Sequence, residues 1–218
     1  MIVGPSGSGK SSLLRLCNRL EVADEGRVCF RGEDVRAMDP LALRRRVGMV
    51  FQTPTPFAGT VRDNLCVARA DLDRPDAERV LTRVGLDPGL LDRPAGELSG
   101  GEAQRMCLAR TLVTDPEVLL MDEPTSSVDP RATLALEHLA RGLLAHGVVC
   151  VWVTHDLAQM RRLADRVVVV LDGVIAYSGL PADLDRDAGA PVADFLVGGD
   201  ASDGSNDTPG RDDGADDG

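Results

Sequence analysis

A chain of 218 residues with 43% hydrophobic content has the apolar material for one ordinary domain with a sizeable core and room for a small inserted lobe. Its formal charge of −11 excludes passive wrapping of DNA or RNA, whose affinity comes from Lys and Arg neutralising phosphates. Five cysteines without a C-x-x-C pair indicate neither a zinc cage nor a disulfide framework and are expected as core thiols in a reducing compartment, and no apolar run approaches the ~20 residues of a membrane helix.

In chain order, "MIV" leads into the glycine-rich "GPSGSGKS", and the apolar spacing at Leu13, Leu14, Leu16, Cys17 and Leu20 predicts a helix over residues 11–20. "GRVCFRG" alternates Val28 and Phe30 between turn-forming glycines, like a short hairpin strand, so a second sheet is expected; "VGMVFQ" has the look of a buried strand. From residue 53 to about 114 the pattern changes to a proline-punctuated loop and three helical segments, at 61–68, 75–84 and 101–113. "EVLLMDEP" and "VVCVWVTHD" are continuous apolar runs of strand length separated by the amphipathic "PRATLALEHLARGLLAHG". Strand–helix–strand implies a parallel sheet. "DRVVVVLDG" and "VIAYSG" make a last strand and hairpin, and residues 198–218, with seven aspartates and almost no apolar content, are expected to form a disordered acidic tail. The expected division is an α/β core of residues 1–52 and 115–197 with residues 53–114 inserted as a helical subdomain.

"GPSGSGKS" fits G-x-x-x-x-G-K-[ST], in which backbone N–H groups cradle phosphates at a helix N-terminus. The cradle is Gly4, Pro5, Ser6, Gly7, Ser8, Gly9, Lys10, Ser11 and Ser12, and Lys10 is the only lysine of the chain. A compact ammonium suits a phosphate in a chain that uses arginine everywhere else. Lys10 is expected to reach the β- and γ-phosphates, with Ser11 on Mg²⁺. The apolar run ending in Asp122 and Glu123 supplies two carboxylates with different tasks, Asp122 for the Mg²⁺ shell and Glu123 for the attacking water. "ELSGGEAQR", at 97–105, sets Ser99, Gly100 and Gly101 just before a helical stretch, a second anion-binding helix start.

With "LSGGE" beside the phosphate loop, the sequence resembles the ATP-binding-cassette (ABC) ATPases, whose signature this stretch matches except that Glu102 stands where many members carry Gln. Gln52 in "VFQT" matches the family's Q-loop, Asp129 in "SSVD" its D-loop, and His155 in "VTHD" its switch histidine. The resemblance implies a P-loop NTPase fold with a RecA-like parallel sheet. It also implies a head-to-tail dimer, in which ATP and Mg²⁺ held by Lys10, Ser11, Gln52 and Asp122 of one subunit are capped by Ser99, Gly101 and their neighbours in the other. Glu123 is then the general base, His155 a γ-phosphate contact, and Gln52 the link from Mg²⁺ to the helical subdomain.

Family members ordinarily begin with an antiparallel strand pair carrying an adenine-stacking aromatic. This chain starts without that segment, Trp152 and Tyr177 lie on core elements, and Met1 is therefore expected to be an internal methionine or a misassigned start, with a genuinely truncated, weakened ATPase as the alternative. One cassette without a heptad run favours the ATPase subunit of a membrane transporter over repair or translation ATPases, and the second anion turn argues against a simple P-loop kinase or GTPase. Partners would be transmembrane permease subunits and a second ATPase subunit, at the cytoplasmic face of the membrane, with no nucleic acid. The expected cargo is an inorganic anion, phosphate first, with metal or iron export and a non-transport ABC ATPase as alternatives.

Overall fold

The computed structural model describes residues 1–126 and 128–202. β1 (Ile2–Val3) runs into the glycine-rich loop and α1 (Lys10–Leu16) leaves it. The helix stops short of the 11–20 stretch marked by its apolar stripe. Arg19 adopts φ 59° and the Leu20 N–H donates back to the Arg15 carbonyl, a left-handed terminal turn made without the glycine that ordinarily announces one. Leu20 is left exposed beyond it.

β2 (Cys29–Phe30) and β3 (Glu33–Asp34) form a separate antiparallel pair, in line with the expected second sheet. Cys29 is exposed, contrary to the expectation that the cysteines are core thiols; Cys107 is buried and Cys17, Cys66 and Cys150 are half-buried, all five free. Successive strand side chains point to opposite faces. Phe30 packs with the Arg46 guanidinium 4.6 Å from its ring centroid, and Cys29 takes the open face. α2 (Pro40–Arg46) has no counterpart among the expected elements, although its start follows an ordinary rule: Asp39 accepts from the Ala42 N–H at 2.8 Å and Pro40 occupies the first turn. β4 (Val47–Val50) follows directly.

Between β4 and the next strand lie α3 (Val61–Ala68), α4 (Arg74–Arg83) and α5 (Gly100–Leu112). Each begins on a side-chain cap, Thr60, Asp73 and Ser99, and the first and last are full capping boxes completed by Asp63 and Glu102. Their buried faces, with Leu65, Leu81 and Met106 inaccessible to water, belong to the same apolar cluster as Leu119 and Trp152 of the main sheet. The helices therefore share one core with the sheet.

β5 (Val118–Asp122), α6 (Pro130–Ala145) and β6 (Val149–Thr154) are the expected strand–helix–strand unit. α7 (Leu157–Leu163) was not expected as a separate helix; β7 (Val167–Leu171) and β8 (Val174–Gly179) make the terminal hairpin. α8 (Leu184–Asp187) and α9 (Ala190–Ser202) close the described chain. α9 runs past residue 198, where the acidic tail was expected to begin, and residues 203–218 lie outside the described residues.

Among the described residues the main sheet has six strands in the order β4-β5-β6-β1-β7-β8, parallel except for the β7–β8 hairpin. The fold is therefore α/β with a parallel-dominated sheet. β1 is only two residues long yet pairs on both sides, Ile2 opposite Val153 and Val168. Helices cover both faces, which is why Leu119 and Leu120, neighbours that point to opposite faces, are both fully buried; each contributes roughly 1.5–3 kcal/mol relative to exposure. The order places the carboxyl ends of β4, β5, β6 and β1 side by side.

Candidate nucleotide site

Ligands in open α/β sheets bind outside the carboxyl ends of the strands, and four adjacent ends here carry Gln52, Asp122 with Glu123, His155, and the loop from Gly4. Gly4 follows β1 with φ 154°, and a Cβ there would collide with the Val170 carbonyl oxygen and lie 2.9 Å from Ser8 Oγ, so only glycine lets the loop leave the sheet at this point. Gly9 caps α1 with φ 97° and no side-chain bond. Pro5, Ser6 and Gly7 are exposed at the loop tip, and Ser12 is exposed on the first turn of α1.

Lys10 is buried, and its Nζ donates to the carbonyls of Gly4 at 2.9 Å and Pro5 at 2.7 Å. Burial pulls its ammonium below the usual lysine range, against the nearby charges of Glu123 and Asp122, which raise it. Ser11 Oγ donates to Asp122 Oδ1 at 2.8 Å, and Asp122 is itself buried. A hydroxyl and one carboxylate are hard oxygen donors of the kind Mg²⁺ takes when phosphates complete its shell. Ser8 Oγ is buried without a hydrogen-bond partner among the described residues. An orphaned hydroxyl, a buried ammonium and a hydroxyl–carboxylate pair in one cradle fit a Mg²⁺-bound triphosphate.

One residue beyond Asp122 the backbone changes character. Glu123 has φ 42°, a left-handed conformation that costs a non-glycine residue about 1–3 kcal/mol and persists where the surroundings over-determine it. The Glu123 N–H donates to Val153 O at 3.1 Å, and its carbonyl accepts from the Ser126 N–H at 3.2 Å and Ser126 Oγ at 3.0 Å. The carboxylate meets two of the other expected residues: His155 Nδ1 lies 3.1 Å from Glu123 Oε2, and Gln52 Nε2 lies 3.5 Å from the same oxygen and 3.4 Å from Ser126 Oγ. His155 is exposed. Glu123, Ser126 and His155 line a cavity of ≈ 180 Å³ together with Thr125, Thr133 and Thr154.

Ser99, Gly100 and Gly101 are not part of this constellation. Among the described residues no hydrogen bond joins them to the phosphate loop; Ser99 instead caps α5, with Glu102 Oε2 accepting from both its N–H and its Oγ at 2.8 Å. These two bonds hold the Glu102 carboxyl below its usual range. A Cβ on Gly101 would touch Ala132 Cβ at 4.0 Å, so the start of α5 abuts the start of α6, where Asp129 accepts from the N–H groups of Arg131 and Ala132. Ser99, Gly100 and Asp129 are all exposed. The two helix starts thus form one exposed patch, and among the described residues no hydrogen bond joins it to the Lys10 cradle.

The loop after Gln52 is pinned to the helices behind it. Gln104 Nε2 donates to Phe51 O at 3.3 Å; Asn64 accepts from the Phe57 N–H at 2.8 Å and donates to Phe57 O at 3.0 Å; and the Arg110 guanidinium lies 4.3 Å from the Phe57 ring centroid. A groove of ≈ 250 Å³ opens here, lined among others by Met49, Phe51, Thr55, Phe57 and Arg110. Ser126, Asn64 and Gln104 escaped the sequence analysis. Ser126 follows the two carboxylates within the same turn, a usable signal, whereas nothing along the chain marks Asn64 or Gln104.

A phosphate cradle at a strand–helix turn, with a strand-end carboxylate across from it, defines the P-loop NTPases, and a second serine–glycine helix start stands exposed beside the start of α6. Residues 1–126 match the family described as ABC transporter. The rice protein STAR1 (Oryza sativa subsp. japonica) is 44% identical over 197 residues, 88% of this chain and 57% of the relative. The phosphate import ATP-binding protein PstB 3 of Natronomonas pharaonis is 41% identical over 213 residues, 90% of this chain and 77% of the relative. Among solved structures, cbiO1 from Clostridium perfringens, part of the ABC transporter complex cbiONQ, superposes with TM-score 0.76 at 27% identity, covering 85% of this chain and 78% of the other. The chain belongs to the ABC transporter family and carries its ATPase domain. It spans little more than half the length of the rice relative.

Proposed function

We propose that this chain is the ATP-hydrolysing subunit of a membrane transporter that imports an inorganic anion, phosphate first. The observation that carries the catalytic part is the convergence on one oxygen: Glu123 Oε2 faces both His155 and Gln52, one residue from the Ser11–Asp122 pair. Lys10, released from the Gly4 and Pro5 carbonyls, holds the phosphates, while Ser11, Asp122 and Gln52 hold Mg²⁺. When bound, Mg²⁺ neutralises charge on the phosphate oxygens. Glu123 orients and deprotonates the attacking water, and His155 steadies that carboxylate and contacts the γ-phosphate side of the site.

The exposed patch of Ser99, Gly100, Gly101 and Asp129 caps the cradle of a second copy, so each dimer site is shared. Residues 1–52 and 115–197 act as the core body, which contributes Asp129 to the patch, and 53–114 as the lobe that contributes Ser99, Gly100 and Gly101, with Gln52 at the join. The groove beside Phe51 and Phe57 receives a transmembrane permease, which places the subunit peripherally on the cytoplasmic face; no described helix is long and apolar enough to cross a membrane. The anion cargo is supported by the name of the Natronomonas relative. Glu123→Gln tests the core of this proposal. It keeps ATP binding and lowers turnover by about 10²- to 10⁴-fold, the usual contribution of a positioned base, and turnover at the wild-type rate would refute the role given to Glu123.

A further inference from the structure

Behind the Glu123–His155 pair lies a buried polar cluster that the proposed function does not use. Glu137, on α6, is 1% exposed. Its Oε1 accepts from Arg162 at 2.5 Å and from Gln159 Nε2 at 3.0 Å, and its Oε2 accepts from Arg162 Nε at 3.1 Å. The same Gln159 Nε2 lies 3.4 Å from Thr125 Oγ1. Gln159 is fully buried, and its Oε1 has no hydrogen-bond partner among the described residues.

Three elements of the site meet at this one amide. Gln159 lies on α7, whose first turn is fixed by Asp156 accepting from the Gln159 N–H at 2.7 Å, immediately after His155. Glu137 lies on α6, which starts at Asp129. Thr125 stands inside the turn that holds Glu123 at φ 42°. Ser126 grips the Glu123 carbonyl from one side of that turn, and Gln159 reaches Thr125 from the other. A left-handed glutamate needs such a surrounding constraint. The amide nitrogen is where this side chain has partners, Glu137 on one side and Thr125 on the other.

We infer that Gln159 is a positioning residue: anchored on Glu137, it holds Thr125 so that the Glu123 carboxylate stays turned toward His155. The inference rests on the role proposed for Glu123. Removing the Gln159 hold lets the turn relax, and small misplacements of a reacting group are costly in rate.

The test is steady-state ATP turnover of the full-length protein together with its thermal midpoint. Gln159→Met, which fills the space without a donor, is expected to lower kcat about tenfold with KM for ATP unchanged. Thr125→Val, which removes the acceptor alone, reproduces the loss, and the double variant is no worse than either single one. Leu143→Val, a packing change on the buried face of α6, lowers the midpoint by roughly 2–4 °C and leaves kcat unchanged, which separates positioning from general loosening. Wild-type kcat in both Gln159→Met and Thr125→Val, additive losses in the double variant, or a kcat loss that Leu143→Val matches at equal midpoint overturns the inference. Should Gln159→Met fail to fold, Thr125→Val against Leu143→Val decides on the same readouts. A Glu123→Gln variant assayed alongside distinguishes the two levels: if it turns over normally the role of Glu123 falls, whereas a stalled Glu123→Gln with unaffected Gln159→Met and Thr125→Val removes Gln159 alone.

Discussion

Replacing Arg162 by methionine takes the charge partner from a carboxylate that has almost no access to water. Glu137 is 1% exposed and receives two hydrogen bonds from Arg162, at 2.5 and 3.1 Å. Breaking a buried ion pair from one side costs about 3–5 kcal/mol. The Arg162 side chain is 43% exposed, so water screens its end of the pair, and the discounted cost is about 2–3 kcal/mol. For a chain of this size each kcal/mol moves the midpoint about 2–4 °C, so the fall at neutral pH is roughly 4–12 °C.

The pH dependence carries a sign that makes the prediction sharper. Burial pushes the Glu137 carboxyl up, but hydrogen bonds from Arg162 and Gln159 and the Arg162 charge outweigh it, and its pKa sits below the usual glutamate value. In the wild type this group therefore contributes stability above the unfolded pKa of about 4.3 and loses it as pH falls through the lower folded value. Without Arg162, burial is opposed only by the Gln159 hydrogen bond and the Arg141 charge, and the folded pKa is expected to rise above the unfolded one. The protonated form is then favoured, and the variant's deficit shrinks as pH falls from 7 toward 5. Urea denaturation of both proteins at pH 7 and 5 measures this directly. Replacing both partners, Glu137→Leu with Arg162→Met, recovers most of the loss. A deficit under about 0.5 kcal/mol at pH 7, or one of equal size at both pH values, would refute the account of a buried, Arg162-dependent carboxylate.

Lys10→Ala removes a buried ammonium that no other lysine can replace; at about 1.5–3 kcal/mol for each charged hydrogen bond to phosphate, affinity for ATP falls by roughly 100-fold or more, and calorimetric titration showing unchanged affinity would contradict its role. Ser99→Ala loses the cap of α5, worth about 1 kcal/mol and a few degrees of midpoint; turnover falling far more than that loss of fold explains is expected if Ser99 completes the site of a second copy, and turnover tracking stability alone means that it only caps. Asn64 is fully buried and joined to Phe57, Thr60 and Arg110. Asn64→Ala is expected to free the loop after Gln52 at a cost of about 2–3 kcal/mol, raising amide exchange around Phe57; exchange at the wild-type rate would show that the loop is held by other contacts.

Local rules account for what the residue order made legible. β5 and β6 could be recognised because strands covered on both faces are continuous apolar runs, and α6 because "PRATLALEHLARGLLAHG" is amphipathic over the length of a sixteen-residue helix. An Asp–Pro start opens both α6, at Asp129 and Pro130, and α2, at Asp39 and Pro40, but a helix of seven residues shows too little periodicity for α2 to stand out. The early end of α1 had no signal at all, since Arg19 takes the left-handed turn without glycine.

The residue order by itself determined the chemistry on offer: a phosphate loop with the chain's only lysine, a strand-end carboxylate pair, a second serine–glycine helix start, and the spacing that separates them. Only the tertiary structure decided which of these meet. The order β4-β5-β6-β1 sets Gln52, Glu123 and His155 side by side although more than a hundred residues separate the first from the last, and it leaves Ser99 outside. The positive φ of Glu123 and the Gln159 amide behind it likewise depend on packing. Strand neighbours and buried polar partners are set by contacts between residues far apart in the chain, and such contacts leave no local periodicity, cap or turn by which they could be foreseen.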